Sequence, residues 1–235
     1  MTATLGILGG MGPLATVDFM AKLIRLTPAK RDQDHVPVLV YSVPQVPDRT
    51  AAILKGNDEP LAWMRRGAET LRDAGAKCIA IPCNTAHHWH GALGDGLGIP
   101  VLHIVDAAAD ALKAHGIASG PIGLLGTTGT ITAGVYQKRL EKLGYAPITT
   151  DYDVQKRLVM GGIAEIKAGD LDAGREKLEA AAETVRKKGA PAIVLGCTEI
   201  PIVLSGPGYI DATEALARAA LAWHLGASAK PRAAE

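Results

Sequence analysis

The fold is decided by a stretch of sequence that occurs twice: residues 68–83 read AETLRDAGAKCIAIPC, and residues 182–197 read AETVRKKGAPAIVLGC. Each copy passes through a Gly, continues into a short apolar run and ends on a Cys, and the two copies align without a gap at a constant offset of 114 residues. Because a duplication fixes an architecture that single segments only suggest, we predict two homologous lobes.

Each copy predicts a helix followed by a strand. At the start of each copy and just before it, apolar residues recur at three- and four-residue steps, as in an amphipathic helix. They are Leu61, Met64, Ala68 and Leu71 and, in the second case, Leu178, Ala182 and Val185. Gly75 and Gly189 are predicted to end these helices. Residues 79–81 and 193–195 are continuous apolar runs, which are typical of buried parallel strands.

A second pattern marks the start of each lobe. Residues 6–12 and 123–129 both consist of a Gly, two apolar residues, a second Gly, two further residues and a third Gly. This pattern is typical of a short strand that ends in a Gly-rich turn. Further strands are predicted at residues 36–42 and 101–104.

These elements predict an α/β fold of two pseudo-symmetric lobes, each a mainly parallel sheet flanked by helices, with the active site in the cleft between them. The first lobe takes residues 1–100 together with residues 210–235 and carries Cys83. The second takes residues 101–209 and carries Cys197. We expect a helix at residues 213–225 to pack back on the first lobe.

Composition and charge exclude several functional classes. The 235 residues include 25 Lys and Arg against 24 Asp and Glu, and the formal net charge is +1. Because there is no basic block or charge excess, we expect neither nucleic acid nor a membrane as a partner. Three Cys without paired spacing argue against a disulfide framework, and residues 1–5 lack a basic signal-peptide region. A reducing, cytoplasmic location is therefore expected.

Cys83 and Cys197 are the candidate reactive groups. Each follows a predicted strand at the edge where parallel sheets bind ligands, and each precedes a predicted helix whose N-terminus favours a thiolate. Two thiols that face each other across a carbon acid suit a reaction in which one face loses a proton and the other gains one. That reaction is racemisation or epimerisation. Cys78 has no counterpart in the second copy, where Ala192 stands, and we assign it to packing.

The α-proton of an amino acid is only weakly acidic, so such a site must also stabilise a dianionic transition state with fixed donors. Candidate donors cluster near the two Cys and in the Gly-rich turn at residues 126–130: Asn84, Thr85, Thr127, Thr128, Thr130 and Thr198. The alternative role for these residues is helix capping.

Taken together, the motifs resemble a known family, the cofactor-independent aspartate/glutamate racemases. The resemblance rests on residues 9–13 (GGMGP) with Ala15 and Thr16, 47–49 (PDR), 82–87 (PCNTAH), 126–130 (GTTGT) and 196–199 (GCTE). It implies a two-lobe fold, often dimeric, with one catalytic Cys from each lobe and neither pyridoxal phosphate nor a metal. The predicted activity is racemisation of an acidic amino acid, aspartate first, with glutamate and broader specificity open.

The resemblance also implies how the substrate is held. Arg49, beside Asp48, and Lys167 would bind the side-chain carboxylate, for which a bidentate Arg is well suited. Their alternative role is to form exposed ion pairs. Our hypothesis further places Met11 on the cleft wall and lets Glu199 orient its neighbours or tune Cys197.

Other functions stay open at this point. Hydantoin racemases and maleate cis–trans isomerases share the Cys pair. Residues 10–15 (GMGPLA) match a dinucleotide-binding pattern, although no acidic residue ends the second predicted strand to hold a ribose. His87, His88 and His90 allow a zinc site, but no second ligand cluster accompanies them. A non-catalytic amino acid binder is the remaining alternative.

Overall fold

The computed structural model describes residues 3–226, in which seven strands form two sheets. Both sheets are parallel throughout and are flanked by helices, which confirms the predicted α/β class. Residues 1–2 and 227–235, which we assigned to the first lobe, lie outside the described residues. Within residues 3–226, no helix is both long enough and apolar enough to cross a bilayer.

The two sheets repeat one arrangement around a central strand. The strands are β1 (Leu5–Gly9), β2 (Val38–Ser42), β3 (Cys78–Ala80), β4 (Gly120–Gly126), β5 (Tyr145–Ile148), β6 (Ile193–Gly196) and β7 (Tyr209–Asp211). Their order is β2-β1-β3 in one sheet and β5-β4-β6-β7 in the other. Thus β1 lies beside the strand that leads to Cys83, and β4 lies beside the strand that leads to Cys197, as the repeat predicts.

Helices connect these strands. They are α1 (Pro13–Leu26), α2 (Arg49–Lys55), α3 (Glu59–Asp73), α4 (His90–Gly94), α5 (Ile104–Ala114), α6 (Thr128–Thr132), α7 (Gln137–Glu141), α8 (Tyr152–Val154), α9 (Gly161–Ala168), α10 (Leu171–Lys187) and α11 (Ala212–His224). Short 3-10 helices cover Asp32–Asp34, Thr85–Trp89 and Ile200–Ile202, and a π-helical segment, Gln155–Met160, joins α8 to α9.

The two helices of the repeat end as the sequence predicts. Helices α3 and α10 are followed by Gly75 at φ +106° and Gly189 at φ +96°. These values lie in the left-handed region, which Gly adopts without the steric cost of a Cβ, so both helices stop at matching places. The buried faces include Ala68 and Leu71 in α3 and Ala182 and Val185 in α10.

Two local predictions are wrong. Residues 101–104 do not form a strand: Val101 makes a single bridge to Ile79, and α5 begins at Ile104. The His103 side chain accepts a hydrogen bond from the Val105 N–H at 3.2 Å, which caps α5 and turns the chain into a helix. Cys78 is the first residue of β3 rather than a residue before it, and it is fully buried.

The predicted helix at residues 213–225 is α11, which packs against α1 and α5. The buried Lys22 of α1 binds Asp211 at 2.7 Å. Asp211 in turn caps α11 by accepting hydrogen bonds from the N–H groups of Thr213 and Glu214 at 2.8 and 3.0 Å.

One hydrophobic core joins the two sheets, since Leu5 of β1 and Leu124 of β4 belong to the same cluster. The residue boundaries of the two lobes stay a prediction.

Candidate active site

A small cleft lies where the central strands of both sheets end. Met11 and Thr127 follow β1 and β4, while Cys83 and Cys197 follow β3 and β6. The cleft is lined by Met11, Asp48, Arg49, Thr50, Cys83, Asn84, Thr85, Thr127, Lys167, Cys197, Thr198 and Glu199. Its empty space, counted together with the solvent at its open mouth, is about 330 Å³.

Both candidate thiols reach this cleft. Cys83 and Cys197 are 5% and 4% exposed, and the three cysteines of the chain are all free. Cys78 is not part of the lining, and burial raises the pKa of its thiol to about 12. The structure therefore brings together the two thiols that the repeat pairs and leaves the third in the core.

The loop that carries Cys83 is held by a histidine. His87 lies in the 3-10 helix Thr85–Trp89, with Nδ1 at 2.9 Å from the Cys83 carbonyl and Nε2 at 3.4 Å from the Leu102 carbonyl. Burial lowers the pKa of His87 to about 3, so the ring is neutral and carries one proton. The shorter contact assigns that proton to Nδ1, which donates to the Cys83 carbonyl.

Asn84, directly after Cys83, presents an unpaired donor. Its Oδ1 accepts a hydrogen bond of 2.6 Å from the hydroxyl of Tyr136. Its Nδ2 is buried and has no partner within the described protein. Since a buried donor without a partner is costly, a ligand in the cleft that accepts a hydrogen bond would satisfy it.

Three threonine hydroxyls form a triangle beside the cleft. Thr85, Thr127 and Thr130 lie 2.9 Å apart in every pair. Thr127 also caps α6 by accepting from the Thr130 N–H at 3.1 Å. Thr85 and Thr127 line the cleft, whereas Thr130 is fully buried behind them.

Two of the predicted substrate-binding threonines lie outside the cleft lining. The hydroxyl of Thr130 is hydrogen-bonded to the hydroxyls of Thr85 and Thr127. Thr128 lies outside the lining, and its hydroxyl is 3.5 Å from Nε2 of Gln155. Both belong to the framework of the Gly-rich turn, since the turn presents only its first threonine to the cleft.

The loop that carries Cys197 is held by a carboxylate. The Cys197 Sγ–H donates to Glu199 Oε2 at 3.0 Å, and the Thr198 hydroxyl lies 3.4 Å from the same oxygen. Burial and the neighbouring Glu199 carboxylate raise the pKa of the Cys197 thiol well above its usual value. The end of β6 thus does not favour a thiolate at Cys197, because the Glu199 carboxylate lies against its sulfur.

Arg49 enters the cleft from the first turn of α2. Asp48 caps this helix by accepting from the Ala51 N–H at 2.7 Å. The guanidinium donates to the carbonyls of Val46, Pro47 and Met11 at 2.9, 3.1 and 3.3 Å. Its Nε is buried and has no partner within the described protein. Arg49 therefore forms no surface ion pair in the described chain and keeps a donor for a ligand.

Lys167 lies in the last turn of α9 on the opposite wall. Its side chain is 48% exposed, and its Nζ is 3.9 Å from Oε1 of Glu199. The ion-pair role that we considered for Lys167 thus exists, but the contact is long and the ammonium group retains free donors. Lys167 can turn toward a ligand without breaking a close pair.

The sequence reasoning did not single out two residues near the site. Thr50 lines the cleft, and its position directly after Arg49 was the available signal. It approaches α6 so closely that a Cβ at Gly129 would lie 2.8 Å from the Thr50 Cα. Tyr136 lies behind Asn84 and carries no local signal, because the two residues are 52 positions apart.

The rings of His87, His90 and His103 pack against one another, with His87 and His90 stacked and His103 tilted against both. The ring centroids of His90 and His103 are 4.4 Å apart, and Nε2 of His90 is 2.9 Å from the Val101 carbonyl. Within residues 3–226, no group of three or more His, Cys, Asp or Glu side chains is arranged to hold a metal ion.

Comparison with known proteins identifies the family. The family model described as Asp/Glu/Hydantoin racemase matches residues 8–220. The chain belongs to this racemase family. A broad specificity amino-acid racemase, RacX, from Bacillus subtilis is 31% identical and aligns over 94% of this chain and 98% of its own. A glutamate racemase from Persephonella marina is 28% identical, over 66% of this chain and 59% of its own.

The fold agrees with that assignment. The solved structure of an aspartate racemase from Picrophilus torridus superposes with a TM-score of 0.81 at 33% identity, covering 95% of this chain and 94% of the other. The protein is thus an amino acid racemase, an isomerase with a small-molecule substrate. The predicted family is confirmed. The names of these three relatives give different substrates: aspartate, glutamate and a broad range of amino acids.

Proposed function

We propose that this racemase inverts the α-carbon of an acidic amino acid, aspartate or glutamate, without a cofactor and with Cys83 and Cys197 as the two proton-transfer groups. The observation that carries the proposal is the content of the cleft. Two thiols, the cations of Arg49 and Lys167 and the unpaired Asn84 donor surround one small space. Such a cleft suits a small carbon acid that carries two carboxylates.

Proton transfer takes place on the two faces of the α-carbon. The thiolate of one Cys takes the α-proton, and the electron pair of the broken C–H bond is delocalised onto the α-carboxylate. The thiol of the other Cys then gives its proton to the opposite face and becomes the thiolate. The inverted product leaves with the two sulfurs in exchanged protonation states, and proton exchange with water restores the starting form.

The hydrogen bond between Cys197 and Glu199 supports a resting enzyme in which Cys197 carries its proton. Because the Cys197 S–H donates to Glu199 and burial opposes the charged form, Cys197 is the protonated partner in the resting enzyme. Cys83 is then the base for the enantiomer whose α-proton faces it. Glu199 holds the Cys197 proton in place, which is the tuning role that we assign to it.

Fixed donors surround the developing negative charge. Asn84, Thr85, Thr127 and Thr198 are assigned to the α-carboxylate and the amino group. Asn84 and Thr198 are each 2% exposed. In such a water-poor cleft, preorganised donors stabilise an oxyanion more strongly than they do in water.

The side-chain carboxylate is assigned to Arg49 and Lys167. Arg49 still has a free Nε–H, and its other donors fix the guanidinium against the backbone carbonyls, so it is held in place before the substrate binds. A charge-assisted hydrogen bond to a carboxylate is the interaction that such a group makes best. Met11 closes the wall beside it, and Asp48 anchors the helix that carries it.

The test follows the α-proton directly. L-aspartate and L-glutamate are incubated with the purified protein in D2O, and proton NMR records the loss of the α-proton signal while chiral chromatography records the D-enantiomer. We expect both for at least one of the two acids, at a rate that hydroxylamine and a metal chelator leave unchanged. Exchange confined to non-acidic amino acids, or activity only on maleate or hydantoins, would overturn the substrate assignment.

We also propose that the enzyme is a homodimer. Leu14, Val17 and Ile24 lie on one face of α1 and are 52%, 62% and 57% exposed. Val38 lines an apolar groove together with Ile24, and Val40, on the same face of β2, is 41% exposed. Exposed apolar side chains grouped on one helix face and one strand face favour association. Sedimentation velocity tests this, and we expect a Val17→Asp variant to be monomeric.

A reducing, cytoplasmic location is the third part of the proposal. The chemistry requires both cleft sulfurs as free thiols, and thiols persist where disulfides are kept reduced. Treatment with a mild oxidant is expected to stop racemisation, and dithiothreitol is expected to restore it.

A further inference from the structure

Tyr136 lies behind the cleft and touches both cysteine loops. It directly precedes α7 and is fully buried. Its hydroxyl donates to Oδ1 of Asn84, the residue after Cys83, at 2.6 Å. On its other side, a Cβ built on Gly196, the residue before Cys197, would lie 3.2 Å from Cε2 of the Tyr136 ring. One side chain therefore joins the two loops that carry the thiols.

The hydroxyl of Tyr136 decides which end of the Asn84 amide faces the cleft. A phenol O–H that donates must pair with the amide oxygen, and this leaves the amide nitrogen to point elsewhere. That nitrogen has no partner within the described protein, while Asn84 lines the cleft. Burial raises the pKa of the Tyr136 phenol, so the group stays a neutral donor at every working pH.

We propose that Tyr136 is a positioning residue that fixes the Asn84 amide with its nitrogen toward the substrate and sets the spacing of the two cysteine loops. This inference rests on the proposed function, in which the Asn84 amide binds the substrate. Tyr136 holds the other end of the same amide and does not itself contact the substrate. Without the hydroxyl, the amide can rotate and place its oxygen next to the substrate carboxylate, where it repels the anion instead of binding it.

The kinetic test uses Tyr136→Phe, which keeps the ring against Gly196 and removes only the hydroxyl. We expect kcat/KM for racemisation to fall by roughly 10²-fold, the loss that a misplacement of about 1 Å produces in an active site. Tyr145→Phe is the matched control. It also deletes one tyrosine hydrogen bond, from a 3%-exposed side chain to the Ile117 carbonyl at 2.8 Å, but it lies outside the cleft lining. We expect its kcat/KM to stay within about twofold of the parent, since local changes away from a site leave its geometry intact.

A double-mutant cycle separates positioning from a general structural role. If Tyr136 acts through Asn84, Tyr136→Phe should cost little further activity in an Asn84→Ala background. An equal loss in both backgrounds overturns the proposal, because the tyrosine would then act independently of the amide. Loss of activity in Tyr145→Phe to the same extent also overturns it.

A spectroscopic test does not need activity and therefore separates this inference from the proposed function. The chain contains two asparagines, Asn57 and Asn84, and Asn57 is exposed. Selective ¹⁵N-asparagine labelling therefore gives two side-chain amide signal pairs. In the parent protein we expect the Asn84 pair to exchange slowly with water. In Tyr136→Phe we expect this pair to shift and exchange faster while the Asn57 pair stays unchanged.

The outcomes are distinguishable. A parent protein that does not racemise acidic amino acids but shows the Asn84 change overturns the proposed substrate and supports the tyrosine–asparagine coupling. An Asn84 pair that is identical in position and exchange rate in the parent and in Tyr136→Phe overturns the coupling, whatever the activity. Because the parent spectrum alone reports whether Asn84 is protected, the proposal can fail even if the variant does not fold.

Discussion

The loops that carry Cys83 and Cys197 come from the same repeated sequence but hold their sulfurs in different ways. In the first loop, His87 donates to the backbone carbonyl of Cys83, and this hydrogen bond does not involve the sulfur. In the second, Glu199 accepts directly from the sulfur of Cys197. The repeat therefore delivers two thiols to one cleft, and the residues that differ between the copies set their protonation.

This difference suits a reaction that needs one acid and one base at the same time. Two identical thiol sites would compete for the same proton, whereas a carboxylate beside only one sulfur keeps the proton on that side. The asymmetry predicts that the two enantiomers meet different starting states of the enzyme.

Replacing either sulfur should have the largest effect. We expect Cys83→Ser and Cys197→Ser each to lower racemisation by roughly 10²- to 10⁴-fold, because a positioned acid or base contributes about that much. Each variant should still exchange the α-proton of one enantiomer in D2O, and the two variants should prefer opposite enantiomers. Cys78→Ser, which changes only the core thiol, should keep most of the activity. Full racemisation by either cleft variant would contradict the two-thiol scheme.

Removing the guanidinium should act on acidic substrates alone. We expect Arg49→Met to raise KM for aspartate or glutamate by about 10- to 100-fold, since a hydrogen bond to a charged group contributes about 1.5–3 kcal/mol. Arg49→Lys should recover only part of this, because an ammonium group cannot reproduce the planar donors. Initial rates with acidic and neutral amino acids provide the measurement. Equal loss on both classes would assign Arg49 to the framework of the loop instead.

Neutralising the carboxylate should make the two thiol sites more alike. In Glu199→Gln the negative charge that helps to raise the pKa of Cys197 is gone, so that pKa falls. For the enantiomer that uses Cys197 as the base, the rising limb of kcat/KM against pH should move to lower pH by about one unit. The opposite enantiomer serves as the internal control and should shift less. A shift to higher pH would reverse the sign and refute the tuning role.

The smallest expected effect on activity concerns the histidine that holds the Cys83 loop, where stability is the quantity that changes. The pKa of His87 is about 3 in the folded protein and 6.5 in its reference state, so the unfolded chain takes up a proton that the folded chain excludes. Its contribution to stability is complete above pH 6.5 and is lost as the pH falls toward about 3. His87→Asn keeps a donor for the Cys83 carbonyl and removes this titration.

Urea unfolding at two pH values measures that contribution. Between about pH 7 and about pH 5, the parent should lose about 2 kcal/mol more of its unfolding free energy than His87→Asn loses. Racemase activity at neutral pH should be retained by the variant, since the amide still anchors the loop. Equal losses in both proteins would mean that His87 is protonated in the folded state.

Most of the fold could be predicted from the sequence because it depends on short-range patterns. The repeat, the periodic apolar residues and the glycines at 75 and 189 each act through neighbours along the chain. The wrong strand at residues 101–104 shows the limit of this reasoning, since the cap formed by His103 competes with an apolar run that favours a strand. Tertiary contact, not local pattern, decides such a segment.

The candidate site was predictable in composition but not in geometry. Eleven of the twelve residues that line the cleft, from Met11 to Glu199, were named from the motifs. Thr128 and Thr130 lie outside this lining, and spacing alone does not tell which side of a tight turn faces the cleft. The pKa of Cys197 and the contact of Tyr136 with Asn84 depend on partners brought together by folding, and no local pattern announces them.

The helix that closes the molecule also has a consequence for how the chain is made. Helix α11 packs on α1, and His224 lies against the carbonyl of Ala3, 221 positions earlier. The buried Lys22 of α1 likewise forms its ion pair with Asp211, which is synthesised much later. During synthesis, α1 therefore emerges from the ribosome long before its partner, and its apolar surface stays uncovered over most of translation. Such late, long-range contacts slow folding, so we expect the nascent chain to depend on chaperones until α11 is released.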